Sequence, residues 1–139
     1  MSNDANQSTV YILDSFALLA FLEGERGSAR VQEILELAWT GDASTYLSLM
    51  NLGEVLYITE RERGLPLAQK TLSAIEQLPL GLLSVSRERV LAATHIKANY
   101  TLAYADAFAV AAALEFRGPV VTGDPEFSAV ETLVQVEWM

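Results

Sequence analysis

The stretch TLAYADAFAVAAALEF, residues 101–116, sets an ionisable group, Asp106, among residues otherwise suited to a buried helix. Alanine, leucine, phenylalanine and valine surround it on every helical face, so a helix formed here is apolar nearly all round. An acid in the first turn of a helix is ordinary by itself, because exposed backbone N–H groups and the helix dipole favour negative charge there. Asp106 gains weight only when the other acids of the chain are located.

Working outward, VYILD (residues 10–14) is a short β-branched and apolar run that ends in an acid, and it reads as a buried strand. SFALLAFLE follows at helical spacing and halts at Gly24. A second helix carries Val31, Ile34, Leu35 and Ala38 on one face and ends at Gly41. Residues 44–49 read as a strand and residues 50–63 as a helix stopped by Gly64. Pro66 suits the first turn of the next helix, with Leu67, Leu72, Ile75 and Leu78. Residues 80–85 read as a strand and 87–98 as a helix. After the Asp106 helix, PVVTGD (residues 119–124) is a strand that stops in a Gly-Asp-Pro turn, and residues 133–138 read as a last edge strand. Short apolar strands alternating with helices predict an α/β fold, a parallel sheet covered on both faces. Residues 1–8 are expected to be a polar lead, and residues 9–139 one domain.

Composition narrows the chemistry. The 139 residues are 51% hydrophobic and 19% charged, the balance of a well-cored protein. The absence of cysteine excludes disulfides and thiol chemistry, and a single histidine, His95, excludes a His/Cys zinc cage. No apolar run approaches the roughly 18 residues of a membrane span, and the opening residues lack the pattern of a signal peptide. A cytoplasmic protein without a membrane partner is the expectation. A net charge of −9 argues against a general nucleic-acid-binding surface, yet it is compatible with carboxylates gathered locally to hold a cation.

Asp14 ends the first strand, Asp124 lies just past another, and Glu54 and Asp106 lie near the starts of helices. Ligands of open α/β sheets bind outside the carboxyl ends of the strands, so four acids distant in sequence map to one rim. Each also has a local alternative: Asp14 as a helix cap, Asp124 as a turn residue, Glu54 and Asp106 as first-turn acids. Those roles do not account for the shared setting. Crowded carboxylates repel one another, and a hard divalent cation such as Mg²⁺ or Mn²⁺ relieves that repulsion.

The spaced set ILDSFALLAFLE, NLGEVLY, YADAFAVAAALE and VVTGDPEF resembles a PIN domain, and especially the VapC-type ribonuclease toxins of bacterial toxin–antitoxin pairs. The resemblance runs from about Val10 to Trp138. It implies a PIN-like three-layer α/β/α sandwich with about five parallel strands. It also implies that Asp14, Glu54, Asp106 and Asp124 are the catalytic, metal-site acids of an Mg²⁺- or Mn²⁺-dependent endoribonuclease. Further implications are a homodimer and a small antitoxin whose tail occupies the active-site groove. Ser15 and Thr122, beside the strand-end acids, are expected to support metal, water or carboxylate, or else to make local capping bonds. Asn51, three residues before Glu54, is expected to face the groove. Glu126 is a possible fifth carboxylate, with an exposed turn acid the simpler reading. Ala103 stands where many relatives carry a small hydroxyl residue, so either Thr101 takes over the capping role or the helix begins differently. None of Arg61, Arg63, Arg87, Arg89 or Lys97 is assigned to RNA.

Two rival readings follow from the same residues. One is a non-catalytic binding module of PIN-like fold, against which the retention of all four acids argues. The other is a metal-dependent phosphatase of another α/β fold, which ordinarily needs a second aspartate two residues after Asp14, where this chain has Phe16.

Overall fold

The computed structural model describes residues 9–139; the expected polar lead over residues 1–8 lies outside the described residues. Five strands form one parallel sheet in the order β3-β2-β1-β4-β5. They are β1 (Thr9–Leu13), β2 (Ala43–Ser48), β3 (Gly81–Leu83), β4 (Val120–Thr122) and β5 (Val136–Trp138). Helices α1 (Ser15–Glu23) and α2 (Ser28–Trp39) connect β1 to β2, and α3 (Leu49–Arg63) and α4 (Leu65–Glu76) connect β2 to β3. The chain then returns through α5 (Arg87–Asn99) and α6 (Tyr104–Phe116) to the other side of β1. Strand order therefore reverses between β1 and β4, and the carboxyl ends of those two strands flank the crevice where α/β sheets bind ligands.

Alternation along β1 divides the interior into two cores. Tyr11 and Leu13 pack with Val121 and with α1 to α4, around Leu18, Val31, Ile34, Leu47, Val55 and Ile75. Ile12 and Val120 point to the opposite face and pack with α5 and α6. The resulting three layers are the expected PIN-like α/β/α arrangement. Helix α6 is buried from Asp106 to Ala113, and five alanines in that span let it lie close to the sheet and to α5. Each fully buried Leu, Ile or Val side chain contributes on the order of 1.5–3 kcal/mol, so the two cores together dominate the stability of the fold.

Three details differ from the expected elements. Residues 125–130 form a 3₁₀ helix, Pro125–Val130, which carries Phe127 and Val130 into the α5/α6 core. Strand β5 begins only at Val136, because Leu133 and Val134 still donate their N–H groups to the Val130 carbonyl in the preceding turn. Strand β3 is likewise three residues long, shorter than the apolar run that contains it.

Close backbone approach at the α6–β4 connection depends on Gly118. A Cβ there would stand 2.4 Å from the Val10 carbonyl oxygen and 2.8 Å from its carbon, both backbone atoms of β1. Gly53, inside α3, has nothing within 4 Å of the same position. Gly118→Ala is therefore expected to destabilise the protein by about 1–3 kcal/mol, and Gly53→Ala to stabilise it by about 0.5–1 kcal/mol. Thermal or denaturant melts of the two variants measure both signs.

Candidate metal centre

Register places the first acid. Leu13 pairs with Val121 across β1 and β4, so the next residues along, Asp14 and Thr122, meet at the ends of the strands. The Thr122 hydroxyl donates a short hydrogen bond to Asp14 Oδ2 and accepts one from the Asp124 N–H at 3.0 Å. The other oxygen, Oδ1, accepts the Ala17 N–H at 2.8 Å, which makes Asp14 the N-cap of α1. Capping and membership of the acid cluster are thus both true of Asp14. Only 1% of the residue is exposed, and burial raises its pKa to about 7 despite the Thr122 and Ala17 bonds, with Asp124 adding to the rise.

Asp106 occupies the first turn of α6 and is 6% exposed. Thr101 does not take over the capping role: α6 begins at Tyr104 with Ala103 at the cap and no side-chain cap bond. Nor does the Asp106 carboxylate hydrogen-bond to any described residue. Its pKa is raised to about 7, first by burial, then by the charges of Asp14, Asp124, Glu54 and Glu126. Four acids from three other segments therefore act on one carboxylate, and Glu54, half-buried on α3, is among them. Asp124 caps the 3₁₀ helix by accepting the Glu126 N–H at 2.9 Å. One carboxylate oxygen from each of Asp106, Asp124 and Glu126 lies within 4.8 Å of the others.

Glu126 is thus an exposed turn acid and a member of the cluster at once. The signal lies in Asp-Pro-Glu: a side chain that bonds the N–H two residues on folds the turn back on itself, bringing the second acid to the side of the first.

Thr122 supports the Asp14 carboxylate as expected, whereas Asn51 and Ser15 pair with each other. Asn51 is fully buried and does not open onto the groove. Its Nδ2 donates to Ser15 Oγ at 3.1 Å and to the Ala105 carbonyl at 3.3 Å, while Ser15 Oγ donates to the Asn51 carbonyl at 3.3 Å. Ser15 therefore holds Asn51 and touches no carboxylate. The pair ties α1, α3 and α6 together immediately beside Asp14 and Asp106. Asn51 Oδ1 has no partner. The remaining basic groups are engaged elsewhere or stand apart: Arg89 makes a two-point pair with Glu115, and Arg61 lies over the Tyr57 ring.

An all-oxygen donor set at this spacing fits a hard divalent cation, and the unrelieved repulsion among the acids is what such a cation offsets. Asp14 and Asp106 ionise near 3.8 ordinarily and near 7 in the fold. Between those values the folded chain binds more protons than the unfolded one, so without metal its stability falls as pH rises from about 4 to about 7. The loss is on the order of a few kcal/mol. Metal-free melts at pH 5 and pH 8 are expected to show the lower melting temperature at pH 8. Mn²⁺ restores it there and has little effect at pH 5, and Asp14→Asn flattens the slope.

A family model described as PIN domain matches residues 11–133. No curated protein sequence matches the chain. Among solved structures, the VapBC2 complex of Rickettsia felis bound to a promoter DNA fragment contains a similar chain, with 15% identity and a TM-score of 0.72. That match covers 94% of this chain and 100% of the other. A toxin–antitoxin complex from Klebsiella pneumoniae matches with 19% identity, TM-score 0.68, and coverage of 93% and 99%. The sarcin–ricin loop cleaving toxin VapC20 of Mycobacterium tuberculosis matches with 19% identity, TM-score 0.63, and coverage of 86% and 94%. At these identities the structural matches speak for the fold. With the family model spanning most of its length, the chain belongs to the PIN domain family.

Proposed function

We propose that the protein is an Mg²⁺- or Mn²⁺-dependent endoribonuclease and the toxin of a toxin–antitoxin pair, with Asp14, Glu54, Asp106 and Asp124 as its metal-holding acids. The observation that carries this reading is the convergence of charge on Asp106, whose carboxyl feels Asp14, Asp124, Glu54 and Glu126 while being almost wholly buried. Among the described residues no basic group offsets the charge on Asp14 or Asp106, and such a gathering of acids at a sheet's switch point is suited to a cation. Membership of the PIN family supports nuclease chemistry. The cation supplies positive charge that polarises the phosphodiester and activates water for attack.

The chain's own residues do the positioning. Thr122 keeps Asp14 Oδ2 as a fixed hydrogen-bond acceptor and, through the Asp124 N–H, holds the Asp124 backbone to the end of β1. Ser15 and Asn51 set the distance between the α1 and α6 N-termini. With no cysteine in the sequence, and with His95 exposed on α5 and turned to a groove between α5 and α6, activation of the attacking water falls to the cation rather than to a thiol or imidazole. The partner reading draws on the Klebsiella pneumoniae match, which is a toxin–antitoxin complex, and the substrate reading on the Mycobacterium tuberculosis match, a sarcin–ricin loop cleaving toxin. An antitoxin side chain carrying positive charge would neutralise the acids that the cation otherwise balances. A homodimer completes the proposal.

Outer-shell changes at metal sites reduce activity by about 10–100-fold, so Asp106→Asn, which removes a proposed ligand, is expected to lower Mn²⁺-dependent cleavage of a defined RNA by at least about 100-fold. Retention of full cleavage by a folded Asp106→Asn protein excludes the metal role. Co-expression with the neighbouring small gene product is expected to yield a stable complex of reduced nuclease activity. Recovery of the free protein alone, with cleavage undiminished, excludes the antitoxin.

A further inference from the structure

Phe16 is the second residue of α1, two positions after the buried Asp14, and it is 44% exposed. Its ring is nonetheless held in place. A Cβ on Gly123 would stand 2.3 Å from Phe16 Cε1 and 2.8 Å from Cζ, so the ring rests on bare backbone at the residue before Asp124. One aromatic side chain thus bridges the starts of the two segments that carry Asp14 and Asp124, and it leaves much of its surface to solvent. Tyr104, the exposed aromatic on the Asp106 side, is occupied: its hydroxyl shares a hydrogen bond with Thr94 and its ring packs on Phe108. Phe16 has no such engagement. It also lines a groove of about 260 Å³ with Leu19, Ala20, Glu23, Glu25 and Arg26.

We propose that Phe16 is a substrate-binding residue, a platform on which a nucleobase flanking the scissile phosphate stacks. This rests on the ribonuclease reading above and specifies how the strand is held. The cation held at the rim draws the scissile phosphate, and in the groove Glu23 and Glu25 outnumber Arg26, so the neutral base is the part that enters. Stacking is tolerant of base identity, which suits a chain with few free cations near the site. A ring already pinned by Gly123 loses little conformational freedom when a base covers it, which favours binding.

The test compares wild type, Phe16→Leu and Phe16→Trp with a defined single-stranded RNA and Mn²⁺. The same RNA is also used with a single abasic nucleotide on either side of the cut. Phe16→Leu keeps an apolar side chain against Gly123 and removes the π-face. Expected is a roughly tenfold or greater rise in KM with a smaller change in kcat, recovery in Phe16→Trp, and an unchanged Mn²⁺-induced shift in melting temperature. One of the abasic substitutions should weaken wild-type binding by a similar factor and leave Phe16→Leu unaffected, the coupling expected of two groups in contact. A Phe16→Leu protein with unchanged KM, or one as sensitive to the abasic sites as wild type, overturns the stacking role alone. Failure of the wild-type protein to bind or cleave RNA overturns it together with the ribonuclease reading.

Discussion

Parallel pairing of β1 with β4 sets Asp14 beside Thr122, and the arrangement of the acidic rim follows from that register. A slip of one residue would turn Ile12 and Leu13 to the wrong cores and swing Asp14 to the other face of the sheet. Two separate apolar clusters therefore enforce the position of one carboxylate. The close approach of Gly118 to the Val10 carbonyl belongs to the same constraint, since it governs how β4 enters the sheet. From Thr122 the order propagates outward: its oxygen holds the Asp124 N–H, Asp124 caps the 3₁₀ helix, and that helix presents Glu126.

Burying acids in this way opposes stability in the metal-free protein. Helices α1, α3 and α6 each point an N-terminus at the rim, and each contributes the equivalent of about half a positive charge. That is insufficient against five carboxylates, and the raised pKa values of Asp14 and Asp106 express burial first and this remaining repulsion second. Protonation and cation binding are alternative ways of removing the same excess charge. The proposed function uses the second, and the first takes over as pH drops.

The fold was legible because its strands are short apolar runs and its helices stop at Gly24, Gly41 and Gly64, where positive φ angles occur. The acids were legible because each interrupts an apolar context at one end of an element. Other features depend on geometry that spacing does not carry. Asn51 and Glu54 are three residues apart, and on a helix of 3.6 residues per turn that leaves them about 60° apart in direction. The difference is enough to bury Asn51 between α1 and α6 while Glu54 stays half-exposed. Ser15, read either as a partner of metal or carboxylate or as a local cap, bonds Asn51 because the approach of α3 to α1 is a tertiary contact. The 3₁₀ helix escaped notice because Phe127 and Val130 are too few to display a period, although they anchor it in the core.

Asn51 shows how the repulsion is contained. Its amide nitrogen bonds one group on α1 and one on α6, the two helices whose first turns carry or adjoin Asp14 and Asp106. Like charges at the N-termini of those helices push them apart, and Asn51, itself fixed in α3, ties both to a third element. Its Oδ1 is left buried without a partner, a penalty of about 1–3 kcal/mol. A leucine or methionine of similar size would avoid that penalty but could not donate to Ser15 and Ala105. The fold therefore accepts an oxygen without a partner among the described residues in exchange for two donated bonds beside the acid cluster. Local rules are broken where a site demands it and compensated by the surrounding core.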